Sequence, residues 1–423
     1  MSYVRVTVGI DIGTTSVKAV AADDDGNVVA RTRIPHRVGV PAPNRLEHDA
    51  NRAWRWGPRR ALAGLHHRDI KAVSVVAMVP SLAAVNKNGV PQTAGLLYGD
   101  ERGEDGPTEI EGFASWALGQ CPEAAGLWPA QAVANYTLGG EAVVDISAAG
   151  ACWGLFNGGV DKERIPRMAG MGEAVGRVQG TDAVLDAGGV DAVGEQLVAG
   201  AHNPGDVHVL LGTTLIVWAV IPEYVEMEGL QTIPHLGQSD VALIGGPSNA
   251  GGLFLNWASS LFGRGRAIFN PAHVPVWVPY PRGERAPIDD ATRRAELHDL
   301  DLTHGPAGAR RAAYEASGFV VRRMLELGGA LEGARRVVAT GGGIQDDEWV
   351  QAVADATGLP VDVAAVPEGA ALGAAWLARM AAGLETDMSG ASRWATTARQ
   401  VEPDPLWAEA MAERYDRFRA LAE

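Results

Sequence analysis

Cysteine is scarce in this 423-residue chain. Only Cys121 and Cys152 occur, too few for a disulfide framework and without metal-ligand spacing, so both are expected as buried apolar thiols in a reducing cytoplasm. Long hydrophobic runs are missing as well. No stretch reaches the roughly 18 apolar residues of a membrane-spanning helix, and the opening MSYVRVTVGI lacks the charged and apolar regions of an export signal. The sequence therefore predicts a cytoplasmic protein that does not span a membrane. Positive charge is in deficit: 36 Lys and Arg stand against 51 Asp and Glu, a formal net charge of −15. Sequence-independent nucleic-acid affinity needs clustered cations, so nucleic acid is excluded as a partner and a small-molecule ligand is expected.

What is present is a soluble globular composition, 47% hydrophobic and 21% charged, in a chain too long for one ordinary core. Two domains are expected, 1–204 and 205–423, divided at the Pro/Gly/Asp break HNPGD. From Val4 to Ile10, Val and Ile alternate with Arg5, Thr7 and Gly9, the period of a strand. SVKAVAADDDGNVVARTRIP then reads as two more strands around a turn at Asp25-Gly26-Asn27, a β-meander rather than a βαβ unit. IKAVSVVAMV and LAAVNKNGVP continue as strands. From about Asp100 to Gly180 the pattern loosens into helices and loops. The second half alternates strands, VHVLLGTTLIVWAVI, DVALIGG, RRVVAT and PVDVA, with helices at GGLFLNWASSLFG, AGARRAAYEASGFVVRRMLELGGAL, DEWVQAVADATG and EGAALGAAWLARMAAG. The tail from about Ser389 reads as a loop and a surface helix without evident chemistry.

Gly-Thr-Thr is written twice, at Gly13-Thr14-Thr15 and Gly212-Thr213-Thr214, each time at the end of one strand and before another. A tight turn leaves backbone N–H groups pointing outward, glycine admits a ligand close to the backbone, and threonine adds hydroxyl donors, a combination that suits phosphate oxygens. Neither turn opens a helix with Gly-Lys-Ser/Thr or carries GxGxxG, so Walker and dinucleotide loops are excluded. Duplication is what two related domains gripping one polyphosphate would require. Asp11 is placed either to hold Mg²⁺ through water or to cap its turn. Lys18 either reaches a phosphate as a point charge or lies as a solvated strand residue.

A third glycine cluster, in VVATGGGIQDDEWVQAVADATGLPVDVAAVPEGAALGAAWLA, resembles the adenosine-binding segment of the FGGY family of carbohydrate kinases, relatives of actin, hexokinase and the Hsp70 ATPases. GIDIGTTSVKAV and LLGTTLIVWAV resemble that family's two phosphate segments, and RLEHDANRAW, GLLYGDERG, NAGGLFLNW and VPYPRGERAP resemble further family segments. The resemblance runs from Val4 to about Ala382. It implies an α/β protein of two actin-like (ribonuclease H-like) domains with a nucleotide cleft between them, using ATP and Mg²⁺ to phosphorylate a small sugar or polyol. It also implies nucleotide contacts from Gly13, Thr14, Thr15, Lys18, Gly212, Thr213, Thr214, Gly251, Gly252, Gly341, Gly342 and Gly343, with Asp11 toward the metal.

By the same resemblance Asp191, in DAGGVDAVGEQLVAG, is the base that accepts the acceptor's proton and touches the substrate; Asp186 is its neighbour and competitor. Ala192 follows it where many members have Asn. The sugar segment departs further. SVVAMVPSLAAV has Met78-Val79, so neither the Met-His of many xylulokinases nor the Arg-Glu of glycerol kinases is present. Asp100 and Arg102 are the polar pair expected at the substrate, with Ser81 either facing the pocket or packing in its strand, and Tyr98 against a sugar face or in the core. A ketopentose such as xylulose is the expected acceptor. The alternative is a catalytically weak regulatory homologue that binds sugar and ATP; a homodimer stays open.

Overall fold

The computed structural model describes residues 5–67, 69–263 and 270–422. Val4 and Glu423, at the edges of an expected strand and an expected helix, lie outside them. By contacts the chain forms two compact units, Met1–Val198 with Glu368–Trp394, and Ala199–Pro367 with Ala395–Glu423. The break expected at HNPGD lies just past the first change of unit. The return of Glu368–Trp394 to the first unit has no counterpart in the sequence reading, because only packing reveals it.

In the first unit the main sheet runs in the spatial order Ala174–Arg177, Val184–Asp186, Ile70–Ala77, Val6–Ile12, Ser16–Ala22, Val28–Pro35. Val6–Ile12, Ser16–Ala22 and Val28–Pro35 form the antiparallel meander, while Ile70–Ala77 lies parallel to Val6–Ile12. The central strand is buried at every residue, whereas the edge strand Val28–Pro35 alternates between half-buried and exposed. That difference separates a strand covered on both faces from one at a solvent edge. Gly189–Val190 pairs parallel with the end of Ile70–Ala77 and feeds directly into the helix Asp191–Ala199.

The helix Gly369–Ala381 covers the central strand. It comes so close that a Cβ on Gly9 would stand 1.8 Å from the Ala371 carbonyl oxygen. The same helix meets Asp191–Ala199 backbone to backbone, where a Cβ on Gly373 would lie 1.9 Å from the Gly194 carbonyl oxygen. Its Ala/Gly-rich sequence is therefore a packing requirement on two sides.

The second unit repeats the plan. Its sheet runs Gln231–Pro234, Ala242–Ser248, Leu215–Ile221, Asp206–Leu211, Arg336–Thr340, Val361–Ala364, Thr397–Val401. The hairpin strands are again antiparallel, and Arg336–Thr340 is again parallel to the first of them. The helices Pro306–Leu327 and Asp347–Thr357 pack against each other, cross-linked by the buried pair Arg311–Asp355, with Glu315 holding Arg311 from within its own helix.

The tail corrects one expectation. Thr397–Val401 is the edge strand beside Val361–Ala364, and the helix Ala408–Ala422 buries Met411, Tyr415 and Phe418 in the core. Arg414 ties it to Glu315 at 2.6 Å. Its apolar stripe is narrow among many charges, so the sequence reads as surface. Cys152 is buried and Cys121 only half-buried. No helix among the described residues is long and apolar enough to cross a membrane.

The Gly9 contact yields a stability prediction. Gly9→Ala is expected to destabilise the first unit by about 3 kcal/mol or more, since backbone on both sides must move. Denaturant unfolding checks this; a loss below about 0.5 kcal/mol would contradict the packing.

Candidate active site

The first turn is built on a charged rung. Asp11 and Lys18 face each other across the hairpin, with Lys18 Nζ 3.5 Å from Asp11 Oδ2. Asp11 is buried; burial pushes its carboxyl up, and Lys18 opposes that shift. Lys18 is raised in turn, chiefly by the Asp11 charge, with Glu195 and Glu368 adding to it.

The turn's carbonyl groups are held inward. Trp54 Nε1 donates to His48 Nδ1 at 3.0 Å, which leaves the proton on Nε2 to be donated to the Thr14 carbonyl at 2.7 Å. Burial pushes His48 down to about 4, so this ring stays neutral at ordinary pH. The His36 N–H donates to the Thr15 carbonyl at 3.0 Å, and the Thr14 hydroxyl meets Tyr98 OH at 3.1 Å. With the carbonyls so engaged, the N–H groups of Thr14 and Thr15 have no acceptor among the described residues. His48 and Trp54 were legible only as members of RLEHDANRAW; their six-residue separation gives no sign that they meet.

Gly13 is required neither by its φ, which is not left-handed, nor by packing. A Cβ there would find only ordinary contacts, the nearest at 3.4 Å.

Asp191 opens the helix Asp191–Ala199, and its Oδ1 accepts from the Ala192 N–H at 2.8 Å. The residue is half-buried. Its carboxyl is pushed up to about 7, first by desolvation and then by the charge of Asp11, with Lys18 pulling the other way. Asp11, Lys18 and Asp191 thus form one electrostatic group. Asp186 is different in kind. It is fully buried, its Oδ2 accepts from Ser74 Oγ at 2.6 Å and from the Gly188 N–H at 2.9 Å, and desolvation pushes it up to about 8. It braces the strand end that leads to Asp191.

In the second unit, the Gly252 N–H donates to the Gly212 carbonyl at 2.8 Å and the Leu253 N–H to the Thr213 carbonyl at 3.1 Å. The helix Gly252–Phe262 therefore starts against the second turn, with Gly251 packed on Thr214 and Leu215. Arg285 reaches the Thr214 hydroxyl at 3.4 Å. Gly341 and Gly343 lie against Leu211, directly before that turn, while nothing stands within 4 Å of a Cβ on Gly342. Within this unit the second turn and the triple glycine are neighbours. The two Gly-Thr-Thr turns differ in length: Ile12 pairs with Val17, but Leu211 pairs with Leu215. Where the first has Asp11 and Lys18, the second has Leu210 and Ile216.

The residues of the sugar segment are engaged within the protein. Asp100 is buried, and its two oxygens accept from the N–H groups of Leu46 and Arg102 and from Arg102 Nε and Nη2, at 2.6 to 2.9 Å. Four donors fill a carboxylate. Arg102 is buried with it, also paired with Glu47 at 2.8 Å and lying over the Trp116 ring. Ser81 is fully buried, accepting from the Ala130 N–H at 3.1 Å. These three hold the scaffold in this structure, because their polar atoms are consumed by neighbouring backbone and each other. Tyr98 touches the first turn through the Thr14 hydroxyl.

This arrangement, two hairpin units with a carboxylate at a helix start beside a charged turn, agrees with the family comparisons. Residues 6–112 match the N-terminal domain and residues 208–382 the C-terminal domain of the FGGY family of carbohydrate kinases. The chain belongs to that family. It is a carbohydrate kinase, an enzyme that transfers phosphate to an alcohol group. A xylulose kinase of Escherichia coli K12 is 25% identical, with 90% of this chain and 91% of the relative covered. A glycerol kinase of Renibacterium salmoninarum is also 25% identical, with 97% and 94% covered. Among solved structures, a "xyloylose kinase" from Brucella ovis superposes with a TM-score of 0.80 at 22% identity, covering 99% of this chain and 98% of that one. A gluconate kinase from Lactobacillus acidophilus gives 0.78 at 19% identity, covering 99% and 97%. These structures share the two-domain actin-like fold.

Because the fold does not demand glycine at 13, Gly13→Ala separates stability from binding. Unfolding free energy is expected to stay within about 0.5 kcal/mol of wild type, so a tenfold change in nucleotide affinity, about 1.4 kcal/mol, would report a contact with the ligand and not a loss of fold. Thermal unfolding and nucleotide titration measure the two.

Proposed function

We propose that this kinase transfers the γ-phosphoryl group of ATP to a hydroxyl of a small sugar or polyol, with a ketopentose such as xylulose as acceptor and Asp191 as the general base. The observation that carries this reading is the Asp191 carboxyl, raised to about 7 beside the Asp11–Lys18 rung. A base works best with a pKa near the operating pH, and here burial and a like charge supply it.

In the proposed reaction the ionised Asp191 accepts the acceptor's hydroxyl proton as oxygen bonds to phosphorus and the bond from phosphorus to the leaving ADP oxygen breaks. Lys18 neutralises phosphoryl charge as a point cation. The N–H and hydroxyl groups of Thr14 and Thr15 take phosphate oxygens, as do Gly212, Thr213 and Thr214 in the second unit. Gly342, where a Cβ would meet nothing within 4 Å, leaves room for the nucleotide, while Gly251, Gly252, Gly341 and Gly343 let the segments around the second turn pack closely enough to present it.

The donor set fits Mg²⁺. That ion needs one or two carboxylates and otherwise keeps water and phosphate oxygens, and a cation beside Asp11 would relieve the repulsion that raises Asp191. When bound it would neutralise phosphate charge. Asp11 is the residue that would hold it.

The pH behaviour follows with its sign. Asp191 must be ionised to act, so kcat/KM for the acceptor is expected to rise with pH through the raised range of this carboxyl, which reaches about 7 without the cation and lies lower with Mg²⁺ held by Asp11. Asp191→Asn should bind nucleotide normally yet lose about 10²- to 10⁴-fold in transfer. For stability the sign reverses. A carboxyl raised from its ordinary 3.8 to about 7 favours the folded state below the lower value, and that contribution is lost as pH rises through the higher. Asp191→Asn is therefore expected to gain stability relative to wild type between about pH 4 and about pH 8. ATP consumption that is the same with and without every sugar and polyol in an ADP-release panel would overturn the proposal.

A further inference from the structure

The peptide plane between Thr14 and Thr15 is oriented by a residue outside the turn. In a trans peptide the C=O and the N–H that follows it point to opposite sides of one plane. The direction of the Thr14 carbonyl therefore decides the direction of the Thr15 N–H. That carbonyl accepts from His48 Nε2 at 2.7 Å, while the Thr15 N–H has no acceptor among the described residues. Turning the plane over would break the bond to His48 and present a carbonyl oxygen where a phosphate oxygen is to be held, replacing attraction by repulsion.

The imidazole is itself fixed in tautomer and in place. An indole N–H can only donate, so the 3.0 Å bond from Trp54 Nε1 makes His48 Nδ1 the acceptor and leaves the proton on Nε2. His48 lies on the short strand Glu47–His48, opposite Gly95 of the strand Gly95–Leu97. A Cβ on Gly95 would stand 2.2 Å from the Trp54 ring, so the indole is packed directly on that backbone. The His36 ring meets His48 edge-on, with centroids 4.5 Å apart. Trp54 comes from the π-helical turn Asn51–Trp56, a rare conformation that recurs at functional sites.

This arrangement works only with a neutral ring. An imidazolium donates from both nitrogens, and its Nδ1–H would oppose the indole N–H. Burial, with His36 adding to it, pushes His48 down to about 4. The ring thus supplies direction to the turn and no charge.

We infer that His48 is a positioning residue for the phosphate donor: with Trp54 setting its tautomer, it holds the Thr14 carbonyl away from the nucleotide and so turns the Thr15 N–H toward a phosphate oxygen. This rests on the kinase reading above and concerns nucleotide binding rather than the acceptor.

The test compares wild type with His48→Leu, which has no donor, and His48→Gln, whose amide accepts from Trp54 and donates to Thr14 as the imidazole does. ATP and adenosine affinities are measured by titration, the KM for ATP and for the acceptor by ADP release, and the histidine tautomer by nitrogen NMR. His48→Leu is expected to weaken ATP binding and raise the KM for ATP by about tenfold, with adenosine affinity and acceptor KM little changed. His48→Gln should restore most of the loss. In wild type at neutral pH, His48 should carry its proton on Nε2 alone.

ATP affinity in His48→Leu equal to wild type would overturn the positioning role and leave the kinase reading standing. Equal losses of ATP and adenosine affinity would overturn it too, as the mark of a general disturbance of the fold. Should His48→Leu fail to fold, the tautomer and His48→Gln decide: a proton on Nδ1 overturns the role, and a bare Nδ1 with ATP binding retained in His48→Gln supports it. ADP release indifferent to every acceptor, together with a selective loss of ATP affinity in His48→Leu, would support the positioning role and overturn the reaction.

Discussion

A backbone contact without side chains holds the chemistry in place. The helix Gly369–Ala381 touches the strand Val6–Ile12 at Gly9 and the helix Asp191–Ala199 at Gly194 and Gly373. Asp11 lies two residues beyond the first contact, and Asp191 lies one helical turn before the second. One helix, from far along the chain, therefore sets the separation of the two carboxylates. A bulkier residue at any of these glycines would push the carboxylates apart or distort the strand that carries the phosphate turn.

The electrostatics depend on that separation. A buried Asp11 with Lys18 opposite keeps one charge of each sign beside the turn, and their field is what Asp191 feels in addition to its own desolvation. Asp186, equally buried but bound to Ser74 and Gly188, is raised as well. A raised carboxyl alone does not mark a base; the distinction is that Asp191 neighbours the charged turn and Asp186 supports the backbone. The second unit repeats the turn but has leucine and isoleucine in place of the charged rung, so in the proposed reaction the ionic part belongs to the first.

Much of this was legible in the sequence because it is periodic or local. Strand alternation gave the meander, the duplicated Gly-Thr-Thr marked both hairpins, and helical spacing gave the long helix Pro306–Leu327. Asp191 at a helix start followed from the resemblance of its segment to one of the family's. What escaped depends on contacts between distant residues. His48 bonding Thr14, Asp100 saturated by Leu46 and Arg102, and Glu368–Trp394 joining the first unit are pairings that no window of sequence contains. The final helix was misread because its buried arginine, Arg414, looks like a surface residue until its partner Glu315 is in view.

The discontinuity of the first unit also bears on how the protein is made. A ribosome delivers the strand with Asp11 before most of the second unit and the helix that covers it only after. Domains that are contiguous in the chain fold in turn as they emerge; here the first must wait with an apolar sheet face uncovered. A nascent chain halted before residue 369 carries the phosphate turn and Asp191 without the element that spaces them. Emergence of the helix Gly369–Ala381, rather than of the segments that precede it, is thus the event that fixes the spacing of Asp11 and Asp191.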